Sequence, residues 1–185
     1  MKVFWLALAA MLTAAPVAAA DRDCGPGALG TARVLPVGAD GGVAFGLKSY
    51  PRALPLGPRE IVLTFDDGPA GASTPRILDA LARECVQATF FMIGRNAAGL
   101  PQIARRVRAE GHGVAYHSST HPAVTLRGLP RDKAEADILA GMAQVDRAAF
   151  GGADPGRPKS TFFRFPGFAD SPGLLETLGR MNVAT

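Results

Sequence analysis

Short apolar runs alternate with segments of helical periodicity from Glu60 to the last residue, and this alternation constrains the fold more than any other feature of the sequence. The predicted strands are 61–63, 88–93, 114–116, 161–165 and 182–184, and the predicted helices are 73–84, 101–111, 131–150 and a fourth that begins at 171. Strands that alternate with helices favour parallel βαβ units in an α/β fold. The pattern leaves two architectures open, which are a (β/α) barrel and an open doubly wound sheet.

The composition predicts one folded domain with an extended N-terminal arm. The chain has 185 residues, of which 48% are hydrophobic, and this is enough for one sizeable core. Residues 21–59 are rich in glycine and proline and lack helical periodicity, so we expect them to lie along the domain as an arm. Within this arm, residues 43–45 have the apolar character of a short strand. The domain itself is predicted to span residues 60–185.

The N-terminus has the pattern of a secretory signal peptide. A lysine precedes an apolar stretch that Thr13 and Pro16 alone interrupt, and the stretch ends in three alanines before Asp21. We expect residues 1–20 to be cleaved off and the mature protein to be exported to the periplasm or secreted. An uncleaved membrane anchor is the alternative, and the proline together with the small-residue end argues against it.

Charge and motif content exclude several classes of function. The chain has 20 basic and 16 acidic residues, an excess too small to predict nucleic-acid binding. Its densest basic group, Arg105, Arg106 and Arg108, has no aromatic residues interleaved and is interpreted as the solvated face of a helix. No glycine-rich nucleotide fingerprint follows a predicted strand, and the GxSxG pattern of many serine hydrolases does not occur.

Cys24 and Cys85 are the two cysteines of the chain. An exported protein meets an oxidising compartment, which permits them to pair and to tie the N-terminal arm to the first predicted helix. The chain-entropy model assigns a loop of this length roughly 4 kcal/mol of stabilisation. The sequence leaves open the alternative in which Cys85 is a free buried thiol and Cys24 is unpaired.

The motif TFDDGP, residues 64–69, places two adjacent carboxylates where the first predicted strand ends. Once the chain turns, Asp66 and Asp67 can both project above the strand end, and Gly68 with Pro69 favours such a turn. One strand end then holds a candidate base and a candidate metal ligand. An ordinary turn in which both aspartates bond their own backbone is the alternative.

The motif HSSTHP, residues 117–122, follows the third predicted strand and contains two of the three histidines of the chain. Imidazoles four residues apart, as at His117 and His121, lie on one side of a helical turn within reach of a single ion. A chance pair on the surface is the alternative. Two imidazoles and the carboxylate of Asp67 suit Zn²⁺ or another borderline divalent cation, and they leave positions open for water and substrate.

The segment FRFPGF, residues 163–168, follows the fourth predicted strand. The guanidinium of Arg164 can orient a carboxylate through paired hydrogen bonds, and the flanking phenylalanines can exclude water or support a sugar ring. A core strand with a single snorkelling arginine is the alternative.

In this order, TFDDGP, HSSTHP and RFPGF resemble the motifs of the polysaccharide deacetylase family, carbohydrate esterase family 4, which includes the NodB-like chitooligosaccharide deacetylases. The resemblance covers residues 60–185 and implies a distorted (β/α) barrel that uses a divalent metal to remove acetyl groups from chitin, peptidoglycan or related N-acetylglucosamine polymers. By position, Asp66 matches the catalytic base and Arg164 the residue that orients it. The positions that match the metal ligands are Asp67, His117 and His121, and those expected to line the substrate pocket are Tyr116, Phe165, Pro166, Gly167 and Phe168.

The reaction that the resemblance implies is hydrolysis by a metal-activated water. The metal polarises the acetyl carbonyl and lowers the pKa of the bound water, and Asp66 takes the proton. Two departures from the family's pattern are expected to reshape the acetyl pocket. Tyr116 stands where relatives commonly carry asparagine, and Gly167-Phe168 reverses an aromatic-then-glycine order.

The general acid of the family has no counterpart in these residues. Relatives carry a Leu-x-His motif whose histidine protonates the leaving amine, and this chain has no histidine after His121. His112 is interpreted as a surface turn residue. We therefore expect the barrel to be incomplete at the C-terminus and, because strand edges would be unpaired, to be unstable when these residues are expressed alone.

Two other classes of function stay open from the sequence. One is an inactive fragment or a non-enzymatic glycan-binding remnant that retains the metal site. The other is a metallophosphoesterase or a two-carboxylate glycosidase, which fits less well because glycosidases need carboxylates that flank the glycosidic bond. The deacetylase interpretation leads, because it gives Asp66 and Asp67 separate tasks.

Overall fold

The structure is α/β, as the alternation of apolar runs and helical segments predicts. The computed structural model describes residues 24–46 and 50–185, and the predicted signal peptide lies outside this part of the chain. Three parallel strands, β1 (Thr64–Gly68), β2 (Thr89–Met92) and β3 (Gly113–Tyr116), form a sheet in the order β1-β2-β3. Helices join successive strands, which is how parallel neighbours are connected.

Five α-helices occur in the described residues, and they are α1 (Thr74–Arg83), α2 (Gly94–Gly99), α3 (Pro101–Ala109), α4 (Arg131–Phe150) and α5 (Pro172–Arg180). A proline stands in the first turn of α1, α3 and α5, where its missing N–H would have had no intrahelical partner. Helix α4 ends at Gly151, whose φ of 81° is the left-handed cap that favours glycine. No helix among the described residues is long and apolar enough to span a membrane.

The core is built around β2, the central strand of the sheet. Phe90, Phe91 and Met92 are all buried, as expected for a parallel strand that is covered on both faces. Helix α4 adds an apolar stripe at helical spacing to the same core. The buried members of this stripe are Ile138, Met142, Val145 and Ala149.

The fourth and fifth predicted strands continue the parallel pairing, but they form isolated bridges and not strands. Tyr116 pairs with Phe163, and Phe162 pairs with Ala184. The pairing beside β3 is short because Pro166, which has no N–H to donate, opens a 3₁₀ turn. The order of neighbours is nevertheless the one that a continued parallel sheet requires.

The first predicted strand is displaced in the structure. Residues 61–63 are exposed, with Ile61 84% exposed, and β1 begins only at Thr64. The physical reason is that pairing with β2 starts at Thr64, opposite Thr89, so the apolar run lies ahead of the sheet. The prediction of a strand over 61–63 is therefore wrong, because β1 begins only after these three residues.

The interpretation of His112 as a surface residue is also wrong. Its imidazole is buried, and its Nδ1 accepts a hydrogen bond from the N–H of Ala88 at 3.3 Å. Gly111, with a φ of 83°, closes the turn after α3 and directs the next residue inward, where the imidazole lies 5.5 Å from the ring of Phe90. His112 thus packs at the amino end of β3, the end opposite to His117.

The N-terminal arm lies on the domain at two separate places. Near its start, the N–H of Gly30 donates to the carbonyl of Glu84 at 2.9 Å. Further along, the N–H of Thr185 donates to the carbonyl of Val43 at 3.0 Å, and the N–H of Phe45 donates to the carbonyl of Thr185 at 2.7 Å. These two hydrogen bonds have the pattern of a parallel pair. The segment predicted as a short strand in the arm therefore pairs beside the C-terminal segment.

Cys24 and Cys85 form a disulfide bond across 61 residues of sequence, which is one of the two alternatives that the sequence left open. Because the bond removes conformational entropy from the unfolded chain, we expect Cys24→Ser/Cys85→Ser to lower the free energy of unfolding by roughly 2–4 kcal/mol. Urea unfolding with and without reductant checks this, since reductant should destabilise the native protein and leave the double variant unchanged. Two alkylated thiols in the unreduced, denatured protein would contradict the pairing.

Candidate metal centre

Side chains from the carboxyl ends of β1 and β3, and from the segment paired beside β3, meet at one edge of the sheet. Strand β1 contains Asp66 and Asp67, His117 directly follows β3, and Arg164 follows the bridge residue Phe163. Parallel strands run in one direction, so their carboxyl ends lie on the same side. The three sequence motifs therefore converge, although they are far apart along the chain.

A β-bulge at Asp67 brings two consecutive carboxylates to this edge. Asp66 and Gly68 lie opposite consecutive residues of β2, so Asp67 is an extra residue in the pairing. Its φ of 68° lies in the left-handed region, which costs a non-glycine residue on the order of 1–3 kcal/mol. Nδ2 of Asn96 donates a hydrogen bond of 2.8 Å to the Asp67 carbonyl and supports this conformation. In a regular strand the two side chains would point to opposite faces.

Asp67, His117 and His121 bring three potential ligand atoms together. Oδ1 of Asp67 lies 3.3 Å from Nε2 of His117 and 3.4 Å from Nε2 of His121, and one ligand atom from each residue lies within 4.8 Å of the others. Ligand atoms about 2.0 Å from a tetrahedral Zn²⁺ ion are themselves roughly 3.3 Å apart. The two distances from Asp67 thus match the spacing around one such ion, and all three residues that the sequence predicts as ligands lie within reach of a single ion.

His117 is oriented by a backbone carbonyl. Its Nδ1 lies 2.7 Å from the carbonyl oxygen of Arg164, which can only accept, so Nδ1 carries the hydrogen and donates. Nε2 then keeps its lone pair free for a metal. Burial lowers the pKa of His117, although its contact with the Arg164 carbonyl and the nearby Asp66 and Asp67 act in the opposite direction. The lowered pKa favours the neutral imidazole, which is the form that binds metals.

The donor set is open to solvent on one side. The side chain of His117 is only 4% exposed, whereas those of His121 and Asp67 are 36% and 64% exposed. A structural zinc site is closed by four protein ligands, while a catalytic one has three ligands and an open position. The described residues show the second arrangement.

Asp66 and Arg164 form an ion pair beside the donor set. Nη1 of Arg164 donates to Oδ1 of Asp66 at 2.8 Å and to Oγ1 of Thr64 at 2.9 Å. The guanidinium also lies over the ring of Phe91, 4.0 Å from its centroid, which is a cation–π contact. These three contacts fix the guanidinium, so the Asp66 carboxylate is held next to Asp67 in a defined orientation.

Tyr116 does not line this site, which corrects its assignment to the substrate pocket. Its ring is fully buried on the core side of β3, where its hydroxyl donates to Oδ1 of Asp146 at 2.6 Å and accepts from the N–H of Ser160 at 2.8 Å. Burial raises the pKa of both Tyr116 and Asp146. Strand alternation explains the difference, because the side chain next to the site-facing His117 must point the other way.

The remaining residues assigned to the substrate pocket divide into two groups. Phe165 and Pro166 are buried, and the ring of Phe165 packs edge-on against Phe163 at 4.9 Å between centroids. The assignment of Phe165 to the pocket is therefore corrected, because its ring belongs to the core. Gly167 and Phe168 are exposed, with Phe168 75% exposed, so they are the two members that a ligand can reach.

The sequence did not identify the side chains that support Arg164 and the backbone of Asp67. Thr64 bonds Arg164 from within the TFDDGP motif itself, and Phe91 lies beneath the same guanidinium. Asn96 follows the end of β2, and a polar residue just past the carboxyl end of a parallel strand is a signal that could have identified it.

Comparisons with known proteins identify the family of this chain. A family model described as "Polysaccharide deacetylase" matches residues 53–183. Over 100 residues, or 52% of this chain and 46% of the other, the sequence is 44% identical to a chitooligosaccharide deacetylase of Sinorhizobium fredii. Over 74 residues, or 40% of this chain and 27% of the other, it is 45% identical to a peptidoglycan-N-acetylglucosamine deacetylase of Bacillus cereus. The chain spans less than half the length of these two curated relatives.

A solved structure supports the same fold. A peptidoglycan deacetylase of Bdellovibrio bacteriovorus matches with a TM-score of 0.63 and 29% identity, over 80% of this chain and 38% of that one. This likeness confirms the fold class predicted from the sequence, in which the parallel sheet is part of a distorted (β/α) barrel. It also decides between the two architectures that the alternation left open.

His121→Ala tests the donor set directly. We expect Zn²⁺ affinity to fall more than 100-fold, which exceeds the roughly 10- to 100-fold typical for residues that only support a ligand. The measurement is competition with a chromophoric chelator, starting from metal-free protein. Asp132→Asn is the matched control, because it removes a carboxylate that is 75% exposed on α4 and should leave the affinity unchanged. Equal affinities in His121→Ala and wild type would refute the role of this imidazole.

Proposed function

Because the chain belongs to the polysaccharide deacetylase family, whose model matches residues 53–183, we propose that the protein is a metal-dependent hydrolase that removes acetyl groups from N-acetylglucosamine-containing polysaccharide. The observation that carries the proposal is the donor set of Asp67, His117 and His121 beside the ion pair of Asp66 and Arg164. The names of the curated relatives, for chitooligosaccharide and for peptidoglycan N-acetylglucosamine, support the substrate class.

We propose that Asp67, His117 and His121 hold one divalent ion, for which Zn²⁺ is the best match to two imidazoles and a carboxylate. When bound, such an ion lowers the pKa of a coordinated water and polarises the acetyl carbonyl. The residues themselves contribute orientation, since the Arg164 carbonyl directs Nε2 of His117 toward the shared position. The exposed side of the donor set supplies the space for water and for the acetyl group.

Asp66 is proposed as the general base. A carboxylate oxygen can accept a proton from water. Arg164 bonds Oδ1 of Asp66, which fixes the carboxylate and leaves Oδ2 for the attacking water. The proton moves from that water to Oδ2, the water oxygen bonds to the acetyl carbon, and the bond from this carbon to the amide nitrogen breaks. Acetate and a free amine are the products once the nitrogen has gained a proton.

The second candidate, which the sequence left open, is a glycan-binding protein that retains the metal site without turnover. Of the histidines in the described residues, His117 and His121 are proposed ligands, and His112 is buried at the other end of β3. Among these residues, Asp66 is therefore the group proposed to return a proton to the leaving amine.

We also propose that the protein is exported. The N-terminal sequence supports this, and the disulfide between Cys24 and Cys85 suits an oxidising compartment. Expression of the full chain in a Gram-negative host, followed by N-terminal sequencing of the periplasmic protein, tests it. A mature terminus at Asp21 is expected, and recovery of the uncleaved chain from the cytoplasm would contradict export.

Asp66→Asn separates the base from the metal ligands. We expect acetate release from acetylated chitooligosaccharide or peptidoglycan fragments to fall about 10²- to 10⁴-fold, the usual loss for a general base. Zn²⁺ content should stay at the wild-type level, because Asp66 is not among the proposed ligands. The exposed carboxylate variant Asp132→Asn serves as the control, with unchanged rate and metal content.

The same assay distinguishes the candidate functions. Acetate release by the zinc-loaded wild type supports the deacetylase, while glycan binding with no acetate release supports the second candidate. An unchanged rate in Asp66→Asn would show that another group takes the proton from water.

A further inference from the structure

The loop between the two candidate histidine ligands has a backbone that must be held in place. Ser118 and His121 have φ values of 62° and 51°, and both lie in the left-handed region that side-chain-bearing residues rarely adopt. Such conformations persist only where the surroundings enforce them. His121 also lacks the burial that fixes His117, because 36% of its side chain is exposed. The position of its imidazole therefore depends on the loop.

Backbone contacts hold the first half of this loop. The N–H groups of Gly94 and Arg95, at the start of α2, donate to the carbonyls of Ser118 and Ser119 at 2.9 and 3.1 Å. On the other side, the backbone of α4 approaches so closely that a Cβ added to Gly141 would lie 2.5 Å from the Ser118 carbonyl oxygen. Only glycine permits this approach.

Asp137 holds the second half of the loop with both of its carboxylate oxygens. Oδ1 accepts the N–H of Ser119 at 2.9 Å, and Oδ2 accepts the hydroxyl of Thr120 at 2.7 Å. Asp137 stands one helical turn before Gly141, so both face the loop from the same side of α4. Hydrogen bonds to an ionised acceptor are shorter and stronger than neutral ones.

We propose that Asp137 is a positioning residue for the metal centre, acting through Ser119 and Thr120 to set where Nε2 of His121 lies relative to Nε2 of His117. The inference rests on the proposed role of the two histidines as ligands, and Asp137 itself belongs to none of the three sequence motifs. A carboxylate suits this place because Oδ1 accepts the backbone N–H groups of Ser119 and Thr120, at 2.9 and 3.4 Å, while Oδ2 accepts the hydroxyl of Thr120. An asparagine keeps one acceptor oxygen and loses the other.

The experiment measures Zn²⁺ affinity without substrate, by chelator competition on metal-free protein. We expect Asp137→Ala to weaken affinity about 10- to 100-fold, the range typical for residues that orient ligands. Asp137→Asn should fall between Asp137→Ala and wild type. Thr120→Val keeps the charge of Asp137 and breaks one hydrogen bond, so a smaller but measurable loss is expected. Asp132→Ala removes an exposed charge from the same helix and should match wild type.

A geometric readout accompanies the affinities. The absorption spectrum of the Co²⁺-loaded protein reports coordination geometry, and we expect it to change in Asp137→Ala and Thr120→Val but not in Asp132→Ala. Wild-type Zn²⁺ affinity and a wild-type Co²⁺ spectrum in Asp137→Ala would overturn the inference. A lower Zn²⁺ affinity in Asp137→Asn with no effect of Thr120→Val would also overturn it, because the charge of Asp137 alone would then explain the change in affinity. Failure of the wild type to bind Zn²⁺ would overturn the metal centre and this inference together. Normal Zn²⁺ binding without acetate release would overturn only the proposed activity.

Discussion

The hydrogen bond between Nδ1 of His117 and the carbonyl of Arg164, 2.7 Å long, connects the two halves of the candidate site. Arg164 uses its carbonyl to orient an imidazole and its guanidinium to hold Asp66, and its own N–H donates to the Tyr116 carbonyl at 2.9 Å. One residue therefore sets both a candidate ligand and the candidate base. The arrangement is possible because parallel pairing brings the residues that follow neighbouring strands to the same level.

The site combines this regular pairing with two local departures from it. Asp67 and His121, which face each other across 3.4 Å, both have left-handed backbone conformations that cost on the order of 1–3 kcal/mol each. Each departure is stabilised by a neighbour, Asn96 at the bulge and Asp137 at the loop. In a regular strand only every second side chain lies on the same face. The left-handed conformations of Asp67 and His121 therefore allow their ligand atoms to come as close together as the ligands of one ion.

The sequence predicts where the site lies better than it predicts which way side chains point. Strand ends are local features, and a polar residue directly after an apolar run identifies them, as His117 does. Direction depends on register, and the resemblance to the family places Tyr116 and Phe165 in the pocket, although alternation turns both side chains into the core. The bulge at Asp67 and the exposure of residues 61–63 depend on the pairing with β2, which has no signature in a single segment.

Helix α4 shows why the residues that position a site are harder to predict from the sequence than the ligands themselves. Its apolar stripe predicts a core helix, and its bounds at 131–150 agree with the structure. Beside that stripe, Asp137 and Gly141 contact the loop between the histidines, and Asp146 accepts the hydroxyl of Tyr116. In the sequence these residues cannot be told apart from the other residues of a helix that lie outside its apolar stripe. A positioning side chain needs only an acceptor atom at the right distance, and many polar residues have one. Substitutions that keep the apolar stripe of α4 can therefore still disturb the candidate metal centre.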